Sequence, residues 1–409
     1  MRIVFLNPVG VLGGGERSLL DLIAAIRARD PSTDVHLIVG TDGPLVAHAH
    51  ELGANVHVLP MPSTVTEMGD SALRGGRIST AVGLAMRGIR SANPFRRYLR
   101  ELRRTLRSLE PAIIHSNGIK THIVGRLAAP KGVPVIWHIR DFISTRPLVR
   151  RMLSLALNDR VTLVANSKAV ASDLKVVLSD ANNVEVVYNA IDTQVFSPGP
   201  GDGKWLDELA GREPVDGDVV RVGLIATFAR WKGQGLFIEA AAQLLKDQPN
   251  LSARFFVIGG PIYRTAGSQF TLEELTQLAE SNGLGRKIGF VPFQKHPADV
   301  YRALDVVVHA STLPEPFGRT IVEAMSCGRP VIVSKAGGAA ELFDDGQDAL
   351  GVPANDCTVL SSAMGQLISD ALLRRRLGEA ARETAIARFD RSRLGDDMIA
   401  VYDKIIKNR

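Results

Sequence analysis

Residues 305–325 read DVVVHASTLPEPFGRTIVEAM, a stretch with the pattern of a strand, a turn and a helix. The apolar run at its start predicts a buried strand, Leu313-Pro314 predicts the turn, and the residues after it have helical character. Gly318 and Arg319 then fall at the transition from turn to helix. At such a point the backbone N–H groups and the helix dipole favour an anion or a ligand rich in hydroxyl groups.

Two glutamates, Glu315 and Glu323, stand in this stretch with seven residues between them. We expect Glu315 on the loop and Glu323 more than one turn inside the helix, so that they contact different parts of an extended ligand. Ionised carboxylates are strong acceptors, which suits the recognition of sugar hydroxyl groups. Two other interpretations remain open: a glycosidase couple flanking one bond, and two unrelated surface glutamates.

The segment 315–323 resembles the Glu-(seven residues)-Glu motif of the retaining glycosyltransferases of family 4, and the resemblance extends over most of the chain. It implies the GT-B fold, an α/β class in which two doubly wound Rossmann-like domains face a central cleft. It also implies that Glu315 contacts the donor sugar at the reaction centre and that Glu323 holds the ribose of the nucleotide. The further donor-binding residues implied by the resemblance are Phe317, Gly318, Arg319 and Thr320.

A second motif, FARWKG at residues 228–233, follows the predicted strand 219–226 and precedes an amphipathic helix. Arg230 and Lys232 are cations beside a helix N-terminus, and this arrangement suits a diphosphate. A pair of solvated surface cations is the alternative. The arrangement resembles the donor-phosphate motif of the same family, which implies that both residues take part in catalysis by stabilising the leaving nucleoside diphosphate.

A glycine run, Gly13-Gly14-Gly15, comes soon after the first predicted strand and opens a helix. Glycine lacks a Cβ, so the backbone at this loop can approach a phosphate or a sugar closely. The resemblance implies that Gly14 lies near the acceptor and Gly15 near the donor. A dehydrogenase fingerprint is disfavoured, because the third glycine of its spacing is missing and strand 35–39 ends in Gly40-Thr41 before an acid appears.

The predicted strand 134–139 carries His138, and Arg140 and Asp141 follow it. A lone histidine at a strand end is more often a hydrogen-bonded structural residue than a catalytic one. Its likeness to the strand-end histidine of the family implies that His138 lies at the reaction centre. We expect Arg140 and Asp141 to bind hydroxyl or phosphate groups of the acceptor.

A second glycine pair, Gly337-Gly338, follows the predicted strand 331–334 and opens a predicted helix over 338–343. It resembles the Gly-Gly segment that lies beside the nucleotide in the family. Glu341 is also explained as an acidic residue near a helix start, where the helix dipole favours negative charge.

The chain alternates short β-branched runs with helical patterns, which predicts parallel sheets covered on both faces. Residues 1–196 are predicted as an acceptor-binding domain and residues 197–389 as a donor-binding domain, because the densest Pro and Gly punctuation lies at 197–217. The resemblance implies that the last helix, within 390–409, packs back on the first domain. Residues 61–94 break the alternation and predict an insertion or a short helical lid.

The composition is that of an ordinary soluble globular protein, with 409 residues, 45% hydrophobic and 22% charged. No apolar run approaches the roughly 20 residues that a membrane-spanning helix needs. The first residues lack a cleavable signal pattern. Cys327 and Cys357 have no metal-ligand spacing and predict small buried thiols of a reducing compartment. We therefore expect a cytoplasmic protein.

Eight arginines and one acid, Glu101, occupy residues 87–107. Such a basic stretch predicts a peripheral contact with an anionic membrane surface or with a polyphosphate acceptor. Nucleic acid is disfavoured, because aromatic residues make up only 5% of the chain and give little surface for base stacking. A solvated basic helix face is the alternative.

These motifs predict an enzyme that moves a sugar from a nucleoside-diphosphate sugar to a hydroxyl acceptor, in the synthesis of an envelope polysaccharide or a glycolipid. Retention of configuration is implied by the resemblance. No metal or other cofactor is expected, because the two cations and the helix ends neutralise the phosphates. The alternatives are a nucleotide-sugar epimerase, an inverting transferase of the same fold and a non-catalytic nucleotide-sugar-binding subunit.

Overall fold

The chain forms two compact units: unit 1 holds Met1–Ala190 and Arg391–Arg409, and unit 2 holds Ile191–Asp390. For residues 79–92 the structure describes the backbone and no side chains. The computed structural model describes residues 1–62, 79–178, 184–215, 217–261 and 267–407.

Unit 2 begins at Ile191, whereas the Pro and Gly punctuation predicted a boundary at 196/197. The Ile191 N–H donates to Phe389 O at 2.9 Å, and Thr193 Oγ1 donates to the carboxylate of Asp390. These hydrogen bonds attach the residues just after the boundary to the last residues of unit 2.

Unit 1 is built on a parallel sheet with the strand order β3-β2-β1-β4-β5-β6-β7. Side chains of its central strand alternate between two apolar clusters: Val4 and Leu6 pack on one face, and Ile3 and Phe5 pack on the other. Both faces are therefore covered, which explains why the strands are nearly continuous apolar runs. The described strands are β1 (Arg2–Asn7), β2 (Asp34–Val39), β3 (Asn55–Val58), β4 (Ile113–Ser116), β5 (Val135–Ile139), β6 (Val161–Ala165) and β7 (Val184–Val186).

The helices of unit 1 lie on both faces of this sheet. In chain order the described helices before unit 2 are α1 (Gly14–Arg29), α2 (Pro44–Glu51), α3 (Ser79–Leu109), α4 (Ile119–Ala128), α5 (Pro147–Ala156) and α6 (Lys168–Val177). The helical pattern of residues 95–109 predicts a helix there, but α3 begins earlier, at Ser79, and includes Pro94. Part of the predicted insertion 61–94 is therefore helical, and residues 63–78 of it lie outside the described residues.

Unit 2 has a second parallel sheet with the strand order β10-β9-β8-β11-β12-β13. The order reverses between β8 and β11, and ligands of open α/β sheets bind outside the carboxyl ends of strands at such a switch point. The loops that leave β8 and β11 are therefore neighbours. The described strands are β8 (Val220–Ile225), β9 (Ala253–Gly259), β10 (Ile288–Pro292), β11 (Val306–His309), β12 (Val331–Ser334) and β13 (Leu350–Val352).

Helices flank this sheet as well, and the helix predicted over 338–343 is a short 3-10 turn at Gly338–Glu341. Within the described ranges, no helix of either unit is both long and apolar enough to span a membrane. The described helices of unit 2 are α7 (Gly203–Leu209), α8 (Gln234–Asp247), α9 (Leu272–Ser281), α10 (Pro297–Ala303), α11 (Arg319–Ser326), α12 (Cys357–Ser369) and α13 (Ala371–Phe389).

Unit 2 differs from the sequence predictions at the Pro- and Gly-rich segment 197–217, which predicts an interdomain linker, and at residues 356–388, whose helical pattern predicts one long helix. The segment 197–217 contains α7, whose first turn is capped by the carboxylate of Asp202. The helix predicted over 356–388 is broken at Asp370, whose carboxylate accepts the Leu373 N–H at 2.8 Å. Aspartate caps therefore start both helices, because an Asp side chain satisfies a backbone N–H that a helix start leaves without a partner.

The last helix, α14 (Arg391–Lys407), belongs to unit 1 and packs along α1. Its buried residues Leu394, Met398 and Tyr402 join the apolar cluster on the α1 face of the sheet. The two helices approach closely at Gly395, where an added Cβ would lie 2.7 Å from Ala25 O. Only a residue without a side chain fits this crossing.

Replacing Gly395 with Leu should lower the free energy of unfolding of unit 1 by about 1–3 kcal/mol, because the new side chain forces α14 away from α1. Urea denaturation followed by the fluorescence of Trp137, with Trp205 and Trp231 replaced by Phe, reports unit 1 alone. The control is Asp403→Leu on the exposed side of the same helix, which should stay within about 0.5 kcal/mol. An equal loss in both variants would show that the crossing is not tightly packed.

Candidate functional site

The carboxyl ends of β8 and β11 lie side by side, because these two strands are paired in the unit 2 sheet. The chain leaves β11 through residues 310–318, here termed the carboxylate loop, and enters α11 at Gly318. This glycine has a φ of +102°, a backbone conformation that side-chain-bearing residues rarely adopt. Gly318 thus sets the direction in which α11 begins, and Glu315 lies in the loop before it, where the sequence predicted it.

The carboxylate of Glu315 is buried, and one of its oxygens receives three contacts. Lys232 Nζ lies 2.6 Å from Glu315 Oε2, Ser311 Oγ donates to it at 2.9 Å, and His309 Nε2 lies 3.3 Å away. The hydrogen bonds of this side chain to described residues all go to Oε2, not to Oε1. Oε1 remains available as an acceptor.

The surroundings of Glu315 decide its protonation state. Burial alone would raise the pKa of this carboxyl, but the charge of Lys232 and the hydrogen bond from His309 hold the pKa well below its usual range. The carboxylate is therefore ionised at neutral pH, and it accepts hydrogen bonds without being able to donate one.

Residues 229–233, here termed the cation loop, pack directly on the carboxylate loop. Gly233 has a φ of +82°, and a Cβ added to it would lie 1.9 Å from a carbonyl oxygen of the carboxylate loop. The Thr312 N–H also donates to Trp231 O at 2.8 Å, and Lys232 Nζ lies 4.2 Å from the centre of the Trp231 ring. This close packing brings the lysine ammonium to the glutamate.

Arg230 leaves the cation loop in a different direction from Lys232. Its Nη2 donates to Glu274 at 2.6 Å, its Nε donates to Gly267 O at 3.2 Å, and its guanidinium lies 4.3 Å from the centre of the Phe270 ring. The two cations predicted to bind the diphosphate therefore have separate carboxylate partners. Arg230 contacts Glu274, and Lys232 contacts Glu315.

Glu323 lies inside α11, and both of its carboxylate oxygens are engaged. Arg319 Nε donates to Oε1 at 2.7 Å, and the Tyr301 hydroxyl donates to Oε2 at 2.8 Å. Burial and the charge of Glu323 raise the pKa of Tyr301 well above its usual value, so the phenol stays protonated and keeps donating. Arg319 is thus a partner of Glu323 within the chain.

The other predicted donor-site residues follow Glu315 along the chain. Phe317 is buried with its ring centre 6.0 Å from that of Phe389, so its side chain is part of the core. Thr320 is half-buried in the first turn of α11. The Gly338 N–H donates to Glu315 O at 2.7 Å, which places the second glycine pair beside the carboxylate loop.

The glycine loop of unit 1 opens α1 at the carboxyl end of β1. Gly14 and Gly15 are the first two residues of the helix, and an added Cβ at either would meet nothing within 4 Å. The Gly13 N–H donates to Glu16 Oε2 at 3.1 Å, so a side chain of the helix caps its own start. The backbone at these glycines is therefore open to a neighbouring group.

Arg140 and Asp141 follow β5 and bond within unit 1. Arg140 Nε donates to Asn117 Oδ1 at 2.8 Å, and its Nη1 donates to Asn189 Oδ1. Asp141 is partly exposed and forms an ion pair with Arg146. The guanidinium predicted to bind the acceptor is thus held by two amide oxygens of the chain.

His138 belongs to a row of buried rings that reaches the last helix, here termed the histidine row. His138 Nδ1 lies 3.1 Å from His115 Nε2, and His115 Nδ1 lies 2.8 Å from the Tyr402 hydroxyl. Arg140 Nη2 lies 3.2 Å from His138 Nδ1. The second ring nitrogen of His138, Nε2, is buried and has no partner among the described residues.

The histidines of this region are neutral in the folded state. Burial, reinforced by the charge of Arg140, lowers the pKa values of His115 and His138 well below the usual value. The same causes lower the pKa of His122, whose Nδ1 lies 2.7 Å from Ser116 Oγ, to about 3. Protonating any of these rings would place a charge where no water can solvate it.

Sequence reasoning missed five side chains that shape the two regions, and they share a position at a strand end or on a neighbouring helix. A polar residue at the carboxyl end of a parallel strand was the available signal for some of them, because ligands of such sheets bind there. The missed residues are His115, Tyr301, His309, Ser311 and Tyr402. Within the described ranges, no cluster of three His, Cys, Asp or Glu side chains is placed to hold a metal ion.

Two family models match the chain one after the other. The Glycosyltransferase Family 4 model matches residues 12–195, and the model described as Glycosyl transferases group 1 matches residues 208–384. The first match lies almost wholly in unit 1 and the second lies in unit 2.

Curated relatives share about a third of their residues with the chain over the matched part. The D-inositol 3-phosphate glycosyltransferase of Stackebrandtia nassauensis is 31% identical over 254 residues, covering 60% of this chain and 55% of that protein. The enzyme of the same name from Kribbella flavida is 33% identical over 231 residues, covering 54% and 52%. The chain thus spans little more than half the length of the curated relatives it matches.

Solved structures share the fold over the whole chain. Anabaena HepE in complex with UDP and glucose matches with a TM-score of 0.78 and 25% identity, covering 98% of this chain and 99% of that one. Sucrose-phosphate synthase from Thermosynechococcus elongatus matches with a TM-score of 0.78 and 18% identity, covering 100% of both chains. The second likeness concerns the fold alone.

Acidification should destabilise unit 1 through its buried neutral histidines. In the unfolded state His122 takes up a proton below its usual pKa of 6.5, whereas in the folded state it does so only near 3. The free energy of unfolding therefore falls as the pH drops below about 6.5, by up to about 1.4 kcal/mol per pH unit for this residue. Replacing His122 with Gln should remove the contribution of this residue to the decrease in the free energy of unfolding. Urea denaturation at pH 7.5 and 5.5, followed by Trp137 fluorescence, measures it. The exposed His50→Gln is the control, and an equal effect of both variants would contradict the assignment.

Proposed function

Because the chain belongs to the family-4 glycosyltransferases and has their GT-B fold, we propose that it transfers a sugar from a nucleoside-diphosphate sugar to a hydroxyl acceptor with retention of configuration. The observation that carries this proposal is the ion pair between the half-buried Lys232 and the buried Glu315 where β8 and β11 end. It combines a cation for phosphate with an ionised acceptor for hydroxyl groups at the switch point of a parallel sheet.

Lys232 supplies the charge that the reaction needs. In the proposed step the bond from the anomeric carbon to the diphosphate oxygen breaks, the bond to the acceptor oxygen forms on the same face, and the acceptor proton passes to the departing phosphate. Negative charge accumulates on the phosphate oxygens. The Lys232 ammonium has three N–H donors and uses one for Glu315, so others remain for the phosphate. Such electrostatic stabilisation is usually the largest contribution to this kind of catalysis.

Glu315 orients the sugar in this proposal. Its Oε2 is held by the contacts within the chain, and its Oε1 is left to accept a hydrogen bond from a sugar hydroxyl. Because its pKa is held low, the carboxylate stays ionised and has no proton to give to a leaving group. This favours an orienting role over that of a general acid.

Glu323 holds the ribose in the same proposal. Arg319 and Tyr301 each donate one hydrogen bond to it, and each carboxylate oxygen has a second lone pair for a ribose hydroxyl. Its two partners fix the orientation of the carboxylate before a ligand arrives, which reduces the entropy that binding must overcome.

In unit 1 we assign Gly14 to acceptor binding and Gly15 to donor binding, since the backbone there is open to an approaching group. Asp141 is partly exposed and remains a candidate acceptor contact. Arg230 is assigned to the diphosphate through its exposed guanidinium, which has more N–H donors than its contacts with Gly267 and Glu274 use.

The comparisons support the choice of donor and acceptor class. The HepE structure contains UDP and glucose, so a UDP-sugar is the first donor to test. The curated relatives are named for an acceptor that carries a phosphate, and an anionic acceptor suits the basic character of α3. An epimerase would instead return a changed nucleotide sugar without an acceptor, and an inverting transferase would give the opposite anomer.

Replacing Lys232 with Ala should lower kcat about 10²–10³-fold, because a positive charge is removed from the developing diphosphate. It also leaves a buried carboxylate without its cation, which destabilises unit 2. The double variant Lys232→Met with Glu315→Gln removes both charges and should regain stability without regaining activity. Sugar transfer is followed by NMR of the product anomer, with EDTA and with Mg²⁺, and we expect equal rates in both.

The matched control for this series is Lys404→Ala, which removes a lysine–glutamate pair on the exposed side of unit 1. It should keep full activity. UDP should raise the melting temperature of the wild-type chain, because a ligand that binds only the folded state stabilises it. Wild-type activity in the Lys232→Ala variant would end the proposed role of this pair.

We further propose that unit 1 binds the surface of an anionic membrane, where a lipid-linked acceptor would be found. Helix α4 packs against both α3 and α5, so the exposed sides of these three helices are neighbours. The exposed side of α5 carries apolar residues next to arginine, and Leu155 is 80% exposed. Among the α3 residues whose side chains the structure describes, the exposed arginines are Arg96, Arg97, Arg100, Arg104 and Arg107. Basic and apolar groups on one face suit an anionic bilayer.

The double charge reversal Arg97→Glu with Arg100→Glu should weaken binding to vesicles that contain phosphatidylglycerol by at least about tenfold, since each arginine near the surface contributes about 1 kcal/mol. Co-sedimentation measures it, and salt at about 1 M should have the same effect on the wild type. The control is Arg286→Glu with Lys287→Glu, the same change of charge on unit 2. Unchanged binding in the first variant would reject the surface.

A further inference from the structure

The histidine row of unit 1 ends at a side chain that can only donate hydrogen bonds. Arg140 Nη2 lies 3.2 Å from His138 Nδ1, and a guanidinium has five N–H donors and no acceptor. His138 Nδ1 must therefore accept. Arg140 is itself held in place by the side-chain oxygens of Asn117 and Asn189.

This one contact sets the direction of every hydrogen bond in the row. A neutral imidazole carries one proton, so His138 with an accepting Nδ1 carries its proton on Nε2. His115 Nε2, 3.1 Å from the same Nδ1, must then donate to it. His115 Nδ1 is consequently an acceptor, and the Tyr402 hydroxyl 2.8 Å away donates to it.

The row leaves one donor unused. His138 is 1% exposed, and its Nε2 is buried with no partner among the described residues. Buried donors without a partner are rare in folded proteins and are found where a ligand or an ordered water accepts. The other charged and titratable groups that act on this ring are His115, His122 and Arg140, and all of them disfavour a second proton on it.

We propose that Arg140 is a positioning residue that acts through His138: it fixes the Nε2–H tautomer, so that His138 meets an oxygen of a bound ligand as a hydrogen-bond donor. His115 and Tyr402 extend the same directed row to the last helix. The tautomer does not depend on the activity, and only the naming of the ligand as a sugar substrate rests on the proposed function.

This assignment changes the role of His138 in the proposed reaction. A histidine whose Nδ1 faces a guanidinium and whose Nε2 carries the proton has no free lone pair toward the ligand. It therefore cannot remove the acceptor proton as a general base. The side-chain amide of glutamine offers an N–H in place of the lost one, so His138→Gln should lose less activity than His138→Leu.

The test uses the whole chain with ¹⁵N-labelled histidine and long-range ¹H–¹⁵N NMR, which separates protonated from unprotonated ring nitrogens. The His138 signals are identified by their absence in His138→Gln. We expect a proton on Nε2 and none on Nδ1 in the wild type, and the same in Arg140→Lys, since an ammonium also only donates. Arg140→Met should give a mixture of both tautomers, because the row can then run in either direction.

Tyr402→Phe provides the matched comparison, because it shortens the row at the far end and leaves Arg140 in place. The His138 tautomer should be unchanged in it. A proton on Nδ1 in the wild type, or an unchanged pure tautomer in Arg140→Met, overturns the proposal. If Arg140→Met does not fold, a proton on Nδ1 in the wild type or in Arg140→Lys still overturns the proposal. No substrate is needed, so a failure here is separate from a failure of the proposed transferase activity.

Discussion

Unit 2 is organised around the need to keep a buried carboxylate charged. An ionised carboxylate out of water is tolerated only beside a cation and with hydrogen bonds to its oxygens. Lys232 supplies the cation, and it reaches Glu315 because Gly233 lets the two loops touch without a side chain between them. The pairing of β8 with β11 brings those loops together in the first place. The strand order of the sheet therefore determines which cation reaches the carboxylate and keeps it ionised.

Unit 1 uses a cation in a related way. Arg140 does not neutralise a carboxylate; it determines which nitrogen of His138 holds the proton. In both units a side chain that can only donate fixes the protonation of its neighbour, and in both the neighbour is buried at the carboxyl end of a parallel strand or just after it. Fixed protonation favours catalysis because no proton has to be rearranged when the ligand binds.

Local pattern was enough to predict the strands of both described sheets, because a buried parallel strand is a short apolar run bounded by turn residues. The resemblance of two separate motifs to family 4 also assigned Lys232 and Glu315 to one predicted site. It could not show that Arg230 pairs with Glu274, because that partner lies 44 residues further along the chain. The helix break at Asp370 was missed because both flanking segments have good helical periodicity, and the cap depends on one side-chain rotamer.

The placement of α14 has a consequence for synthesis on the ribosome. Unit 2 is one continuous stretch, Ile191–Asp390, whereas unit 1 is completed only by a helix that follows it in the chain. Domains generally fold as units while the chain emerges. The nascent protein therefore holds a finished second unit while the first still exposes the apolar groove that α14 will cover. During that interval a chaperone would be expected to shield α1.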